Sequence, residues 1–270
     1  NILLKAITPN FWRATTDNDF GFKLLKHFGV WKKASEKQTL ISVALKVENT
    51  PIDLSGLNSD SLVEGKKVNL QFRFLLPDEI GKIQMDYTIK SSGEILVNNA
   101  LVQMKDGISN LPRFGNNFII NKSYNQVAWY GRGPHENYQD RNTSAFLGQY
   151  KAKVKDLYFP YIRPQENGYR TDTRFVEFTN PNGQGIQIIG TTPISFSAHH
   201  QYNSDFDAGE KKQQRHTIDI KERNLISINI DNAQMGVGGD DSWSWRGQPH
   251  KKYQIKAKDQ SYSYRIVPLK

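Results

Sequence analysis

Val68-Asn69-Leu70-Gln71-Phe72-Arg73-Phe74-Leu75-Leu76 is the stretch that decides the fold class. Apolar side chains at 68, 70, 72, 74 and 76 alternate with Asn69, Gln71, Arg73 and Leu75, the period of a half-buried strand. Downstream, Ile83, Met85, Tyr87 and Ile89 repeat the pattern, and Ser91-Ser92-Gly93-Glu94 turns the chain into Ile95–Val102. Phe175–Thr179 and Ile186–Ile189 flank Asn180-Pro181-Asn182-Gly183, whose residues suit a hairpin loop. The same reading predicts a hairpin from Ile218–Ile220 and Ile226–Ile230 around Lys221–Asn224. It predicts another from Lys252–Ala257 and Tyr262–Val267, with Tyr253, Tyr262 and Tyr264 in the core sheet. Upstream, Leu24, Leu25, Phe28 and Trp31 recur at helical spacing and predict one short amphipathic helix over Phe20–Lys33. No strand alternates with a long helix, which argues against a parallel α/β fold. The expectation is an all-β protein: a large antiparallel sandwich with one or two short helices, residues 1–270 forming a single domain.

Bulk properties narrow the function classes. The 270 residues can bury a sizeable core, and no apolar run approaches the ~20 residues that span a bilayer. No membrane partner is expected. The chain lacks an initiator Met and a signal-peptide pattern, and reads as a fragment of something longer. Without cysteine, disulfides and thiolate catalysis are excluded and the redox compartment stays open. The net charge of +9 is spread over lysines mixed with apolar and acidic residues, with no nucleic-acid motif beside them. A solvated basic face explains it better than nucleic-acid binding.

Three stretches are too polar, aromatic and glycine-rich for regular structure. Met235-Gly236-Val237-Gly238-Gly239-Asp240-Asp241-Ser242-Trp243-Ser244-Trp245 follows a strand-like run, Leu225–Asp231, and reads as a shaped loop leaving a sheet. Its glycines can take positive φ and approach another surface closely, and Asp240, Asp241 and Ser242 can fix a turn. An indole on such a loop is a natural sugar platform, but both tryptophans could instead fold back into the core. Trp129–Arg141 and Arg163–Gly168 are the other two. Their Arg132, His135, Glu136, Arg141, Arg163 and Glu166 could line a charged cleft or form ion pairs holding irregular loops in place. Asp17-Asn18-Asp19 reads as a turn or helix cap, since the further ligands of a calcium loop are missing.

In order along the chain, Asn10–Asp19, Trp129–Arg141, Arg163–Gly168, Pro193–Ala198 and Gln234–Trp243 together resemble the C-terminal small-chain domain of large bacterial β-galactosidases, glycoside hydrolase family two. The resemblance covers the chain from about Asn10 onward; Thr16 departs from it, standing where the family commonly has proline. It implies an antiparallel supersandwich similar to the galactose mutarotases. It also implies that the catalytic glutamates and the magnesium and sodium sites lie mainly on a separate barrel domain, leaving this domain without a cofactor. A retaining glycosidase needs two carboxyl groups about 5–5.5 Å apart. Neither Asp240 with Asp241 nor Asp17 with Asp19 matches the family's catalytic pair. The residue that carries over is Trp243, which in the family contacts sugar at the edge of the barrel's site; Gly238, Gly239, Asp240, Asp241 and Ser242 shape its loop.

The reading that follows is a domain, not catalytic by itself, that completes the rim of a β-galactosidase site and supports assembly. Its expected partners are a galactoside and the remaining domains or large subunit, with a homo-oligomer also compatible and the bacterial cytoplasm and periplasm both open. A different class is a stand-alone sugar mutarotase or carbohydrate-binding module. A mutarotase needs a general acid and base across the anomeric carbon, for which Arg132, His135, Glu136, Glu166, His199 and His200 supply a candidate cleft. A third is a buttress that touches no substrate.

Overall fold

The computed structural model describes residues 2–58, 61 and 64–270. Its strands in chain order are β1 (Leu3–Asn10), β2 (Thr39–Val47), β3 (Thr50–Ile52), β4 (Lys67–Leu75), β5 (Lys82–Lys90), β6 (Ile95–Val102), β7 (Arg113–Ile120), β8 (Gln126–Gly133), β9 (Phe146–Lys153), β10 (Arg170–Thr179), β11 (Gly185–His199), β12 (Ile226–Gln234) and β13 (Gln260–Leu269). The helices α1 (Asp17–Gly21), α2 (Leu24–Glu36) and α3 (Asn203–Phe206) are short. Pairing is antiparallel along the path β1-β7-β12-β11-β13-β6-β5-β4-β2-β3, with β10 joining β11 to β8 and β8 to β9. The antiparallel all-β architecture expected from the alternating runs is therefore the one that forms.

The long strand β11 is the branch point. Its first part, Gly185–Gly190, pairs with β13, and its last part, Ser195–His199, pairs with β12. Since β10 pairs along the opposite edge, two runs of sheet diverge from one strand. β12 shows what this does for the site. Ile226, Ile228 and Ile230 enter the hydrophobic core, while Ser227, Asn229 and Asp231 on the other face are equally buried among polar groups. Asn229 alone exchanges hydrogen bonds with Asn10 (3.0 Å), Asn117 (3.1 Å), Ser197 (3.0 Å) and Asn203 (3.2 Å). Buried amides stay hydrogen-bonded because an unpaired one costs about 1–3 kcal/mol. This polar ladder runs toward the end of β12, where the Gly-rich loop begins.

Two expected hairpins do not form. Thr217–Asp219 is a 3₁₀ turn, and Ile218 is 88% exposed. Both edges of β12 are already taken by β7 and β11, so no ladder remains for Ile218–Ile220. Likewise Lys251–Tyr253 is a 3₁₀ turn, followed by one isolated bridge from Ile255 to Leu111, because β13 lies between β6 and β11. Tyr253 thus stays outside the sheet. Tyr262 and Tyr264 are buried in β13, their hydroxyls donating to Asn116 at 3.0 and 2.9 Å.

The expected helix is split in two at Phe22–Lys23, with Lys23 in the left-handed region at φ 59°. In α2, Leu24, Phe28, Trp31 and Ala34 are the buried stripe. Asp17–Asp19 starts α1 as a capped turn: Thr16 Oγ accepts from Asp19 N–H at 3.4 Å, and the Asp19 carboxylate accepts from Thr16 N–H at 2.7 Å.

Candidate functional site at the Gly-rich loop

The loop after β12 is tied down at nearly every residue. Met235 N–H donates to Pro112 O (2.9 Å) and Gly236 N–H to Tyr253 O (3.0 Å). Asn18 Nδ2 donates to Val237 O (3.2 Å), Gly238 N–H to Asp140 Oδ2 (2.7 Å), and Asp240 N–H to Arg246 O (2.8 Å). Asp241 turns the chain by accepting from the backbone N–H groups of Trp243 (3.1 Å) and Ser244 (2.9 Å) and from the Ser244 hydroxyl. Those bonds, the Ser244 hydroxyl first, hold the Asp241 carboxyl below its ordinary range. Ser242 acts through its backbone: a Cβ on Gly21 would lie 2.6 Å from its carbonyl oxygen.

The glycines differ from their expected role in one respect. None of Gly236, Gly238 and Gly239 has positive φ. What they supply is close approach, and to the chain itself: a Cβ on Gly239 would sit 2.4 Å from the Gly247 carbonyl.

The five tryptophans fall into two groups. Trp12, Trp31 and Trp129 are buried, and each indole N–H has an acceptor: Asp207 (3.0 Å), Ser109 O (2.9 Å) and Arg132 O (3.0 Å). Trp243 and Trp245 are 79% and 60% exposed, and neither indole N–H meets an acceptor among the described residues. The alternative in which both indoles return to the core is therefore overturned.

The charged residues of the middle motifs sit in separate pairs. Glu136 accepts from Arg141 (2.6 Å), from the Tyr161 hydroxyl and from Gly168 N–H (2.7 Å), while Arg132 pairs with Asp172 (2.5 Å) and Arg163 with Asp17. His135 is exposed, and its Nε2 meets the Ser144 hydroxyl at 3.1 Å. His199, buried against Asn167 (3.0 Å), has its pKa lowered to about 3 by desolvation, and His200 is buried against Leu225 O (2.8 Å).

Glu166 is buried beside Arg113 (3.3 Å), whose Nε lies 3.1 Å from Asp231. Arg113 Nη2 also donates to Gln234, and Arg13 pairs with Asp19 in the same interior. Burial raises the Glu166 pKa and lifts that of Asp231 to about 7. A small cavity of about 120 Å³ lies where these motifs meet, lined by Asn18, Tyr138, Arg141, Tyr161, Glu166 and Val237.

Sequence reasoning did not find Arg13, Arg113, Asp140 and Asp231. Two of them lay inside motifs already singled out, Arg13 in Asn10–Asp19 and Asp140 in Trp129–Arg141. An Arg or Asp inside a strand pattern, as at 113 and 231, was the available signal for the others. Among the described residues no three His, Asp or Glu side chains gather as a metal site would require.

Residues 1–267 match the family described as "Beta galactosidase small chain". The chain belongs to the beta-galactosidase small-chain family. A β-galactosidase of Priestia megaterium is 32% identical over 270 residues, covering 99% of this chain and 24% of that protein. A β-galactosidase of Halalkalibacterium halodurans is 36% identical over 253 residues, covering 92% and 23%. This small-chain domain thus spans about a quarter of the length of the curated relatives it matches. Among solved structures, a GalM/aldose epimerase homologue from C. elegans aligns over 77% of this chain and 66% of its own, at 10% identity and a TM-score of 0.37.

Proposed function

We propose that this small-chain domain is a part of a β-galactosidase, not catalytic by itself, that completes the rim of the galactoside site with the indole of Trp243. The observation that carries the proposal is the combination of a loop anchored at most of its residues with an indole that is 79% exposed. An exposed aromatic on a mobile loop would lose conformational freedom on binding; here the backbone is already held. The C–H face of a galactoside is apolar and can lie on the indole while its hydroxyls keep polar partners. The catalytic carboxylates, and magnesium and sodium, belong in this proposal to the other domains of the enzyme. Within this domain the carboxylates near the loop are committed: Asp241 to the turn, Asp140 to Gly238, Glu136 to Arg141 and Glu166 to Arg113.

The test is Trp243→Ala in the whole enzyme. Stacking beyond area burial contributes about 0.5–1.5 kcal/mol, so KM for a nitrophenyl galactoside should rise roughly 2- to 10-fold, more than kcat falls. Trp243→Phe should be milder and Trp245→Ala near wild type. Unchanged KM and inhibitor affinity in folded Trp243→Ala would reduce the domain to a buttress.

A further inference from the structure

The far side of the same loop presents a second feature. Between α2, the turn at 107–110 and residues 240–254 lies an open cleft of about 970 Å³. That is the upper end of small-molecule sites, roughly 300–1,000 Å³. Trp243 does not line it; Trp245 does. The Trp245 indole is gripped edge-on by Phe22 (6.4 Å, 89°) and His27 (5.0 Å, 81°) and remains 60% exposed. An aromatic held this way is a fixed plate.

The polar groups around the plate are set and underused. Asp240 Oδ1 is paired with His250 Nε2 at 2.7 Å, which orients both side chains. Asn110 donates to Gln254 at 2.6 Å, leaving its own amide oxygen without a partner among the described residues. The side chains of Arg246 and Gln248 line the cleft and form no hydrogen bond or ion pair among the described residues.

We infer that this cleft is a carbohydrate subsite centred on Trp245, taking a hexopyranoside chain. The inference goes beyond the rim function and does not depend on it. A pyranose offers one apolar C–H face and a ring of hydroxyls that both donate and accept. The cleft offers the complement: one indole face, the acceptors Asp240 and Asn110, the donors Arg246 and the Trp245 N–H, and Gln248, which does both. A purely apolar occupant would leave those groups desolvated and unpaired, at about 1–3 kcal/mol each. Arg246 and Lys251 line the cleft beside Asp240, so charge does not choose the occupant; the indole face set among both donors and acceptors does.

The probe is a thio-linked β-galactobiose, which the enzyme does not cleave, titrated calorimetrically into whole enzyme whose catalytic site is first blocked with a 2-deoxy-2-fluorogalactoside. One further site per chain is expected. Trp245→Ala should weaken it roughly 2- to 10-fold, the effect of losing one stacked ring. Gln248→Ala, which leaves the Trp245 packing intact, should weaken it too and serves as the comparison if Trp245→Ala does not fold. Trp243→Ala should leave this site intact, and Trp245→Ala should leave KM for nitrophenyl galactoside intact, so the two readings fail separately. Absence of binding to blocked wild-type enzyme, or binding that survives both Trp245→Ala and Gln248→Ala, overturns the inference.

Discussion

Asp140 is the most informative residue to perturb, because it holds the loop without touching either exposed indole. Its Oδ2 accepts the Gly238 N–H at 2.7 Å, and the carboxyl packs so closely on Gly236 that a Cβ there would sit 2.6 Å away. Hydrogen bonds to charged groups contribute about 1.5–3 kcal/mol. The side chain is only half-buried, which places this one at the lower end, about 1.5 kcal/mol. Asp140→Ala should therefore favour local opening of the loop by about tenfold. Hydrogen–deuterium exchange of the peptide spanning residues 236–245 in the whole enzyme reads this directly. Its protection should fall about tenfold while the strand peptides of β11 and β12 keep theirs. KM should rise only about twofold, since Asn18 and the Asp240–Arg246 bond remain and the competent loop is still well populated. Asp140→Asn keeps a neutral acceptor for Gly238 and should recover most of the protection. Wild-type exchange of 236–245 in folded Asp140→Ala would show that the loop is held elsewhere. Equal acceleration throughout the domain would make Asp140 a global support.

Two further outcomes follow from the interior. Asp231, raised to about 7 by burial, binds its proton more tightly folded than unfolded, so its contribution is full below about pH 4 and is lost as pH rises through 7. The melting midpoint of Asp231→Asn relative to wild type should therefore become more favourable from pH 5 to 8, and a pH-independent difference would refute this. Thr16→Ala removes the side-chain half of the α1 cap; at 3.4 Å that bond is long, so a loss of about 0.5–1 kcal/mol in denaturant unfolding, with unchanged kcat/KM, is expected.

Much of the fold was legible locally. The runs at 68–76, 83–89, 95–102, 175–179 and 186–189 became β4, β5, β6, β10 and the first part of β11, because a period of two suits only a pleated chain with one apolar face. Ile218–Ile220 and Lys252–Ala257 carried enough of the same signal to be taken for strands and are not. A strand exists only if a neighbour has a free edge, and the edges of β12 and β13 were already occupied by strands distant in sequence.

The site divides along the same line. The sequence by itself determined that the Gly-rich stretch and Arg163–Gly168 are irregular, since glycine, proline and short polar side chains act on the backbone near them. Trp129–Gly133, expected to be irregular as well, is instead the end of β8, because β9 pairs with it residue by residue and Gly131 and Gly133 fit within that ladder. Which aromatic is core and which is surface was decided by the tertiary structure alone. Trp12 and Trp31 are buried where acceptors 195 and 78 residues away reach their indole N–H groups, whereas among the described residues no acceptor reaches the indole N–H of Trp243 or Trp245. The same holds for Asp140, whose partner Gly238 is 98 residues distant. Burial is a property of what surrounds a side chain, and those surroundings come from chain segments that meet only after folding.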